Sequence, residues 1–194
     1  MLKRCSWAGD DPLYQRYHDK EWGVPVNTDR KWFEFITLEG AQAGLSWITI
    51  LKKRAAYKEA FDNFDFNKIA RYDERKVKTL LKNPGIVRNQ LKIRSTIKNA
   101  RAFIEIRKEF GTFNKYIWAF VDNNPIQNKW SRMKDVPAKT PLSDTISKDL
   151  KKRGFSFVGS TIVYALMQAT GIVNDHTTDC FRYKEVKALG KKKA

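Results

Sequence analysis

The chain contains only two cysteines and two histidines, and they lie at its two ends. Cys5 and His18 are near the start, while His176 and Cys180 lie close together near the end. Zinc binds thiolate and imidazole groups and takes four such ligands in structural sites. The distribution therefore predicts a Cys2His2 site that joins the first and last segments. The alternative is two inert cysteines and two surface histidines.

A closed site of four protein ligands has no open position for water, so we predict one structural zinc ion per chain. His176 and Cys180 have the spacing of one helical turn, which would turn both side chains to the same point. The site would close a loop almost as long as the chain. A zinc deaminase would need His-x-Glu followed by Pro-Cys-x-x-Cys. The sequence contains neither motif, which excludes that class.

Most of the chain carries apolar residues at helical spacing, and no segment alternates as a strand does. We predict an all-α protein, with one domain over residues 1–183, room for two helical lobes in it, and a basic tail over 184–194. Residues 125–141 lack a pattern and are predicted to form a surface loop. The predicted helices are 12–18, two that begin near Asp29 and Ser46, 76–81, 89–110, 112–121, 143–153 and Ser160–Ala169.

The chain is strongly basic, with 38 Lys and Arg against 21 Asp and Glu, a net charge of +17. Such a surplus favours a polyanionic partner, DNA or RNA, although solubility alone is the alternative. Attraction to phosphate carries no sequence information. The chain shows no signal peptide and no apolar run long enough to span a bilayer. We therefore expect a cytoplasmic protein without membrane contact.

The segment GFSFVGST, from Gly154, resembles a phosphate-binding loop but lacks its lysine, and no strand precedes it, which excludes a nucleoside triphosphate site. It instead predicts two helices joined by a hairpin in which Gly154 ends the first helix. Backbone amides near Gly159 and Ser160 would bind phosphate at the start of the second. The alternative is an ordinary turn beside a solvated basic face. The basic residues beside it are Lys151, Lys152 and Arg153.

A second turn, at residues 83–89, has Arg88 and Lys92 nearby. The sequence Asn83-Pro84-Gly85 ends one helix, and Asn89 precedes the next. We interpret this segment only as a helix end followed by a helix start.

Aromatic residues are concentrated near the start of the chain. Such residues are usually part of a core. However, Tyr14 and Tyr17 share a helical face beside His18, so a metal site there would also hold these rings in place, and a purine could stack among them. The full set is Trp7, Tyr14, Tyr17, Trp22 and Trp47.

Glu39 follows an apolar helix face and precedes a glycine-rich break. A buried carboxylate there would need a hydrogen-bonding ligand. The alternative is a solvent-exposed glutamate at a helix end. Gln42, Gly44 and Leu45 follow on a predicted turn whose tip could enter a base stack, and the alternative for Leu45 is the core.

Together these segments resemble the bacterial 3-methyladenine DNA glycosylase I family. The resemblance extends from the first residues to Cys180. It rests on RCxW from Arg4, DPLY from Asp11, YHD from Tyr17, EWGVP from Glu21, LEGxQAGLSW from Leu38, KKRGFxFVG from Lys151 and VNDH from Val173.

The resemblance implies a helix-hairpin-helix DNA glycosylase fold with a structural zinc on the same four ligands. It implies that Glu39 recognises the base and is the catalytic residue. Tyr17 and Trp47 would stack on the base, and Trp7, Tyr14 and Trp22 would line the pocket. DNA contacts would come from the loop residues Gln42, Gly44 and Leu45. Ala41 stands where some relatives carry a second Gln, and we expect little consequence.

The implied activity is extrusion of 3-methyladenine from double-stranded DNA and hydrolysis of its glycosidic bond. We expect a monomer without strand-cleaving lyase activity. Asp175 is expected to support the zinc ligands rather than to act as a catalytic base. Two alternatives remain at this stage: a zinc-containing DNA-binding module without catalysis, and an RNA-binding protein whose aromatic residues form its core.

Overall fold

The computed structural model describes residues 2–191, and these form ten α-helices. In chain order the helices are α1 (Pro12–Lys20), α2 (Asp29–Gln42), α3 (Trp47–Ala60), α4 (Phe66–Ile69), α5 (Glu74–Lys82), α6 (Gln90–Phe110), α7 (Phe113–Ala119), α8 (Pro141–Lys152), α9 (Ser160–Ala169) and α10 (Arg182–Lys191). Short 3-10 turns lie at Ser6–Ala8, Asp62–Phe64 and Met133–Asp135, and two strands are β1 (Ile126–Gln127) and β2 (Val173–Asn174).

Side-chain caps determine where several helices begin. The Asp11 carboxylate accepts hydrogen bonds from the amides of Leu13 and Tyr14 at the start of α1, as its position before a proline predicts. Helix α8 begins earlier than residue 143 because Thr140 caps it and forms a reciprocal pair with Ser143.

Helix α2 is the centre of the fold. Trp32, Phe33 and Leu38 on this helix are fully buried, and it contacts α3, α6, α7 and α9. A helix that is apolar around most of its circumference is typical of such a central position. Glu39 lies in the last turns of this helix, so its burial follows from the packing of the whole domain.

The described residues are mostly helical, in agreement with the predicted fold class, and the departure from an all-α chain is one short pair of strands. The predicted surface loop at 125–141 contains β1, which pairs in parallel with β2 through Ile126 and Val173. The Ile126 amide donates to the Ile172 carbonyl at 2.8 Å. Strands of two residues have no detectable periodicity, which explains why the sequence pattern missed them. This pairing holds the segment that leads into His176.

The predicted boundary at residue 183 falls inside α10. Tyr183 and Val186 on this helix are buried, so the start of the predicted basic tail is packed on the domain. Residues 192–194 of the predicted tail, and Met1, lie outside the described residues. None of the helices in the described part of the chain combines the length and the apolar composition needed to cross a membrane.

Candidate active site and metal centre

The structure brings both cysteines and both histidines into one buried cluster. One ligand atom from each of Cys5, His18, His176 and Cys180 lies within 4.8 Å of the other three. The segment from His176 to Cys180 is a turn rather than the predicted helical turn, closed by the Cys180 amide on the Thr177 carbonyl. The turn nevertheless directs both side chains to the same point.

The distances within the cluster suit a tetrahedral zinc ion. Cys180 Sγ lies 3.4 Å from His18 Nε2 and 3.5 Å from His176 Nδ1, and Cys5 Sγ lies 3.5 Å from His176 Nδ1. Tetrahedral coordination with about 2.3 Å to sulfur and about 2.0 Å to nitrogen separates such atoms by about 3.5 Å. The residues present therefore fit the metal that the sequence predicts.

The second nitrogen of each imidazole is held by an acceptor. His18 Nδ1 donates to Asp19 at 2.8 Å, and His176 Nε2 donates to the Trp22 carbonyl at 3.0 Å. Neither acceptor can donate a proton, so each imidazole carries its N–H on the side of the acceptor. The other ring nitrogen therefore presents a lone pair to the cluster. Arg4 in turn binds Asp19. This is the support that metal-binding imidazoles commonly have.

The same cluster supports a wall of aromatic rings. The centroid of the Trp22 ring lies 4.6 Å from that of His176, and the centroid of the Trp7 ring lies 5.2 Å from that of His18. Trp7 also contacts Tyr14 and Trp22. Joining the two chain ends therefore sets the positions of rings that are far apart in sequence.

These rings line a cavity of about 170 Å³ together with Glu39. Its volume is below the range typical of drug-sized ligands and suits a single heterocyclic base. A larger open cleft of about 670 Å³ lies beside Tyr17 but does not include Glu39. We assign the site to the smaller cavity because it contains the buried carboxyl of Glu39, whose pKa is shifted. Its lining is Trp7, Tyr14, Tyr17, Trp22, Glu39, Gln42, Trp47, Met133, Ala165 and Gln168.

The Glu39 carboxyl is 3% exposed, and its Oε2 atom has no hydrogen-bond partner among the described residues. Burial raises its pKa to about 8 from an ordinary value of 4.5. Two indole groups in the same lining, Trp7 Nε1 and Trp47 Nε1, are also buried without a partner. Buried polar groups are nearly always hydrogen-bonded, so three of them around one cavity indicate a polar ligand.

Tyr17 and Trp47 are adjacent but do not form an open slot. Their ring centroids are 5.4 Å apart and their planes are inclined by 49°. A base stacked between two rings needs about 7 Å, twice a contact distance of about 3.5 Å. The predicted sandwich therefore requires one ring to move. Trp47 begins α3, directly after the loop of residues 43–46.

The remaining predicted DNA-contacting residues lie on two turns. Leu45 is 41% exposed, and Gly44 adopts a φ of 78°, which favours glycine. At the hairpin, Gly154 has a φ of 95° and ends α8 as predicted, whereas Gly159 has an ordinary φ of −61°. Lys151 and Lys152 are exposed.

Arg153, predicted to flank the hairpin as a basic residue, is paired with two carboxylates. Its guanidinium donates to Asp149 at 2.7 Å and to Glu109 at 2.6 Å, and it packs over the Tyr116 ring. Through these two carboxylates Arg153 holds α8 against the end of α6, and its contact with DNA stays a prediction.

Asp175 was expected to support the metal ligands, and this is wrong. Its carboxylate lies 1% exposed and accepts four hydrogen bonds, none of them from an imidazole. The donors are Asn128, Trp130, Tyr164 and Gln168. With hydrogen bonds to both oxygens, Asp175 ties the segment after β1 to α9.

Three residues of the cavity lining were not predicted from the sequence as part of the site: Met133, Ala165 and Gln168. Met133 belongs to the segment without a pattern. Gln168 carried the only signal, because it is a polar residue on the apolar helix α9. Its amide nitrogen donates to Asp175 at 2.8 Å, which fixes its orientation.

The chain is similar to known proteins over nearly its whole length. Residues 7–183 match the family model described as methyladenine glycosylase. The chain is 47% identical to DNA-3-methyladenine glycosylase 1 of Escherichia coli, over 94% of this chain and 97% of that protein.

Solved structures give the same result. A crystal structure of 3-methyladenine DNA glycosylase I, 51% identical, superposes with a TM-score of 0.90 over 92% of this chain and 98% of that chain. A structure that describes 3-methyladenine recognition by the Staphylococcus aureus enzyme is 33% identical, with a TM-score of 0.90 over 93% of this chain and 96% of that one. Because the family model covers most of the chain and the relatives match it along nearly their whole length, this chain belongs to the methyladenine glycosylase family.

Proposed function

We propose that the chain removes 3-methyladenine from DNA by hydrolysing the bond between the base and its sugar. It is a DNA-3-methyladenine glycosylase and so a hydrolase of N-glycosyl bonds that acts in DNA repair. The observation that carries this is the unpartnered Glu39 carboxyl in a cavity shared with Tyr17 and Trp47. A module that only bound DNA would gain nothing from a buried carboxyl beside aromatic rings.

Base selection follows from the charge of the damaged nucleotide. Methylation at N3 makes adenine in DNA cationic, and its exocyclic amine donates hydrogen bonds. In its ionised form, Glu39 accepts such a bond and pairs with the cation, which offsets the cost of burying its own charge. A neutral adenine supplies no positive charge, so the carboxylate would stay buried without compensation. Stacking on Tyr17 and Trp47 adds roughly 1–3 kcal/mol per base.

The chemical step needs little assistance because the leaving group is already activated. The electron pair of the N-glycosidic bond moves to the base, which leaves as neutral 3-methyladenine while positive charge develops on the sugar. A carboxylate in the same cavity favours that charge. Water then forms the new bond to C1′ and loses a proton. No lysine is among the residues that line the cavity, which supports hydrolysis without a Schiff-base lyase step.

Two surfaces next to the cavity would hold double-stranded DNA. A second cavity of about 350 Å³ lies between the loop that carries Gly44 and Leu45 and the start of α9, and it shares Glu39 and Gln42 with the first. It supplies a route for an extruded nucleotide. The loop would enter the gap that the nucleotide leaves.

The hairpin before α9 would bind the phosphate backbone through amides near Gly159 and Ser160, flanked by Lys151 and Lys152. A Cβ atom at Gly159 would meet no atom within 4 Å, and its φ suits any residue. Neither packing nor backbone geometry requires glycine there, whereas close approach of a phosphate would.

Cys5, His18, His176 and Cys180 would hold one zinc ion. The ion would supply a structural link between the chain ends, because four protein ligands leave no coordination position for a substrate. The residues around it would keep Trp7 and Trp22 in the wall of the base cavity. Action as a monomer stays a prediction from the sequence.

Release of free 3-methyladenine from methylated duplex DNA tests the proposal. The wild type should release the base, and Glu39→Gln should lower the rate by about 10² to 10³, the usual cost of removing one electrostatic contact in an active site. Glu105→Gln, at an exposed glutamate of α6, is the matched control and should retain full activity. A wild type without release above background would leave only a DNA-binding module.

A further inference from the structure

The loop that follows α2 is held by a lysine from a distant helix. Lys92 Nζ donates to the carbonyl of Ala41 at 2.8 Å and to that of Ala43 at 2.6 Å. Lys92 lies in the first turn of α6, separated from these residues by 51 and 49 positions in sequence. One ammonium therefore joins the end of α2 to the loop of residues 43–46.

The loop has few other constraints of its own. The Leu45 amide donates to the Gln42 carbonyl at 2.6 Å, which closes the turn. Ser46, which precedes α3, does not cap a backbone amide of that helix, and its hydroxyl bonds to the Thr49 hydroxyl at 2.7 Å. The last carbonyls of a helix need partners, and at this helix end Lys92 provides them.

The location of Lys92 is unfavourable for a lysine in other respects. A cation in the first turn of a helix faces the positive end of the helix dipole. Partial burial also lowers the pKa of its ammonium. The Asn89 side chain accepts from the Lys92 amide at 3.1 Å and so fixes its place on α6. The two carbonyls of the α2 terminus are the contacts that offset these costs.

We propose that Lys92 is a positioning residue for base extrusion, one that holds Gln42 and Leu45 in the shape needed to replace the damaged base in the duplex. The inference rests on the proposed function. Extrusion costs a few kcal/mol of stacking and pairing. A loop that is already ordered loses less conformational entropy when it enters the DNA. More of the energy of its contacts with DNA is then left to offset the cost of extrusion.

The test compares Lys92→Met with Lys98→Met on two forms of one substrate. Lys98 lies on the same helix and is exposed, and its side chain makes no hydrogen bond or ion pair among the described residues. Lys98→Met therefore removes the same charge as Lys92→Met without removing a contact. Methylated duplex DNA requires extrusion from a stack, whereas the methylated single strand, separated from its complement without heating and here called denatured DNA, does not. Binding of free 3-methyladenine, followed by tryptophan fluorescence, reports the base cavity alone.

We expect Lys92→Met to lower kcat/KM on duplex DNA by at least about tenfold, which corresponds to about 1.36 kcal/mol. The loss on denatured DNA and the change in affinity for the free base should stay below about twofold. Lys92→Arg, which keeps a donor, should recover most of the duplex activity. Lys98→Met should match the wild type on both substrates.

Other results would overturn the inference. Equal losses on duplex and denatured DNA would indicate a general loss of stability. Unchanged activity on both would show that the carbonyl contacts have no role. If Lys92 contacted a phosphate instead, Lys92→Met would reduce the salt dependence of duplex binding by about one charge and leave the ratio of the two rates unchanged. A wild type inactive on both DNA forms would remove the proposed function itself, whereas an active wild type with an unchanged ratio removes only the role of Lys92.

Discussion

Replacing Glu39 with glutamine should remove a pH dependence from the stability of the protein. The folded protein holds the Glu39 proton up to a pKa of about 8, whereas the unfolded chain releases it near 4.5. Between these values the folded state binds more protons, so this group stabilises the fold fully below about pH 4.5. Its contribution is lost as the pH rises through 8.

The size of the effect follows from the two pKa values. Their difference of about 3.5 corresponds to roughly 5 kcal/mol in favour of the neutral carboxyl, because each pKa unit is worth about 1.36 kcal/mol. Only part of this range is accessible to measurement. Between pH 5 and pH 8 the wild type should lose roughly 3 to 4 kcal/mol of stability through this group alone. Glutamine keeps the shape and cannot ionise.

Urea denaturation of both proteins at several pH values between 5 and 8 measures this difference. At each pH, subtracting the free energy of unfolding of Glu39→Gln from that of the wild type cancels the contributions of all other titrating groups. The difference should shift by roughly 3 kcal/mol in favour of the variant as the pH rises. Glu105→Gln, at an exposed glutamate of α6, is the control for removing one carboxylate from the surface. The reasoning is refuted if the Glu39→Gln difference stays constant within about 0.5 kcal/mol, since Glu39 would then have an ordinary pKa.

Three further predictions follow from the site. The kcat/KM of the wild type on methylated DNA should rise with pH towards the pKa of Glu39 near 8, because the ionised carboxyl binds the cationic base, and a profile without this limb would contradict that role. Elemental analysis should find one zinc per chain in the wild type and none in Cys180→Ala. Thr177→Ala, which changes a buried residue outside the ligand set, should retain the zinc. A metal-free wild type of full stability would eliminate the zinc site. Gly159→Ala should weaken DNA binding without lowering the melting temperature. Gly154→Ala, at a φ of 95°, should lower stability by about 1 kcal/mol. Unchanged DNA affinity in Gly159→Ala would show that the hairpin does not bind phosphate.

Local patterns in the sequence predicted much of the architecture correctly. Asp11 before Pro12 marked the start of α1, and Gly154 marked the end of α8, because capping and left-handed turns depend on a few neighbouring residues. The rarity of cysteine and histidine predicted their cluster. The family motifs predicted Glu39 beside the aromatic rings, and the cavity lining contains both.

Other features depend on contacts between distant segments, and local patterns do not encode these. Strands β1 and β2 form only because each supplies the other's hydrogen bonds, and α10 is held on the domain by Tyr183 and Val186. The contacts of Asp175 could not be predicted for the same reason, since its four donors come from two separate parts of the chain, the segment after β1 and helix α9.

The sequence alone determined which chemical groups the protein has available and roughly which helices carry them. Only the tertiary structure decided how those groups behave. Glu39 has a pKa near 8 because α2 is surrounded by other helices, and Lys92 reaches the loop because α6 begins beside the end of α2. Burial and long-range hydrogen bonds are sums over the whole fold, whereas propensity and capping act over a few residues.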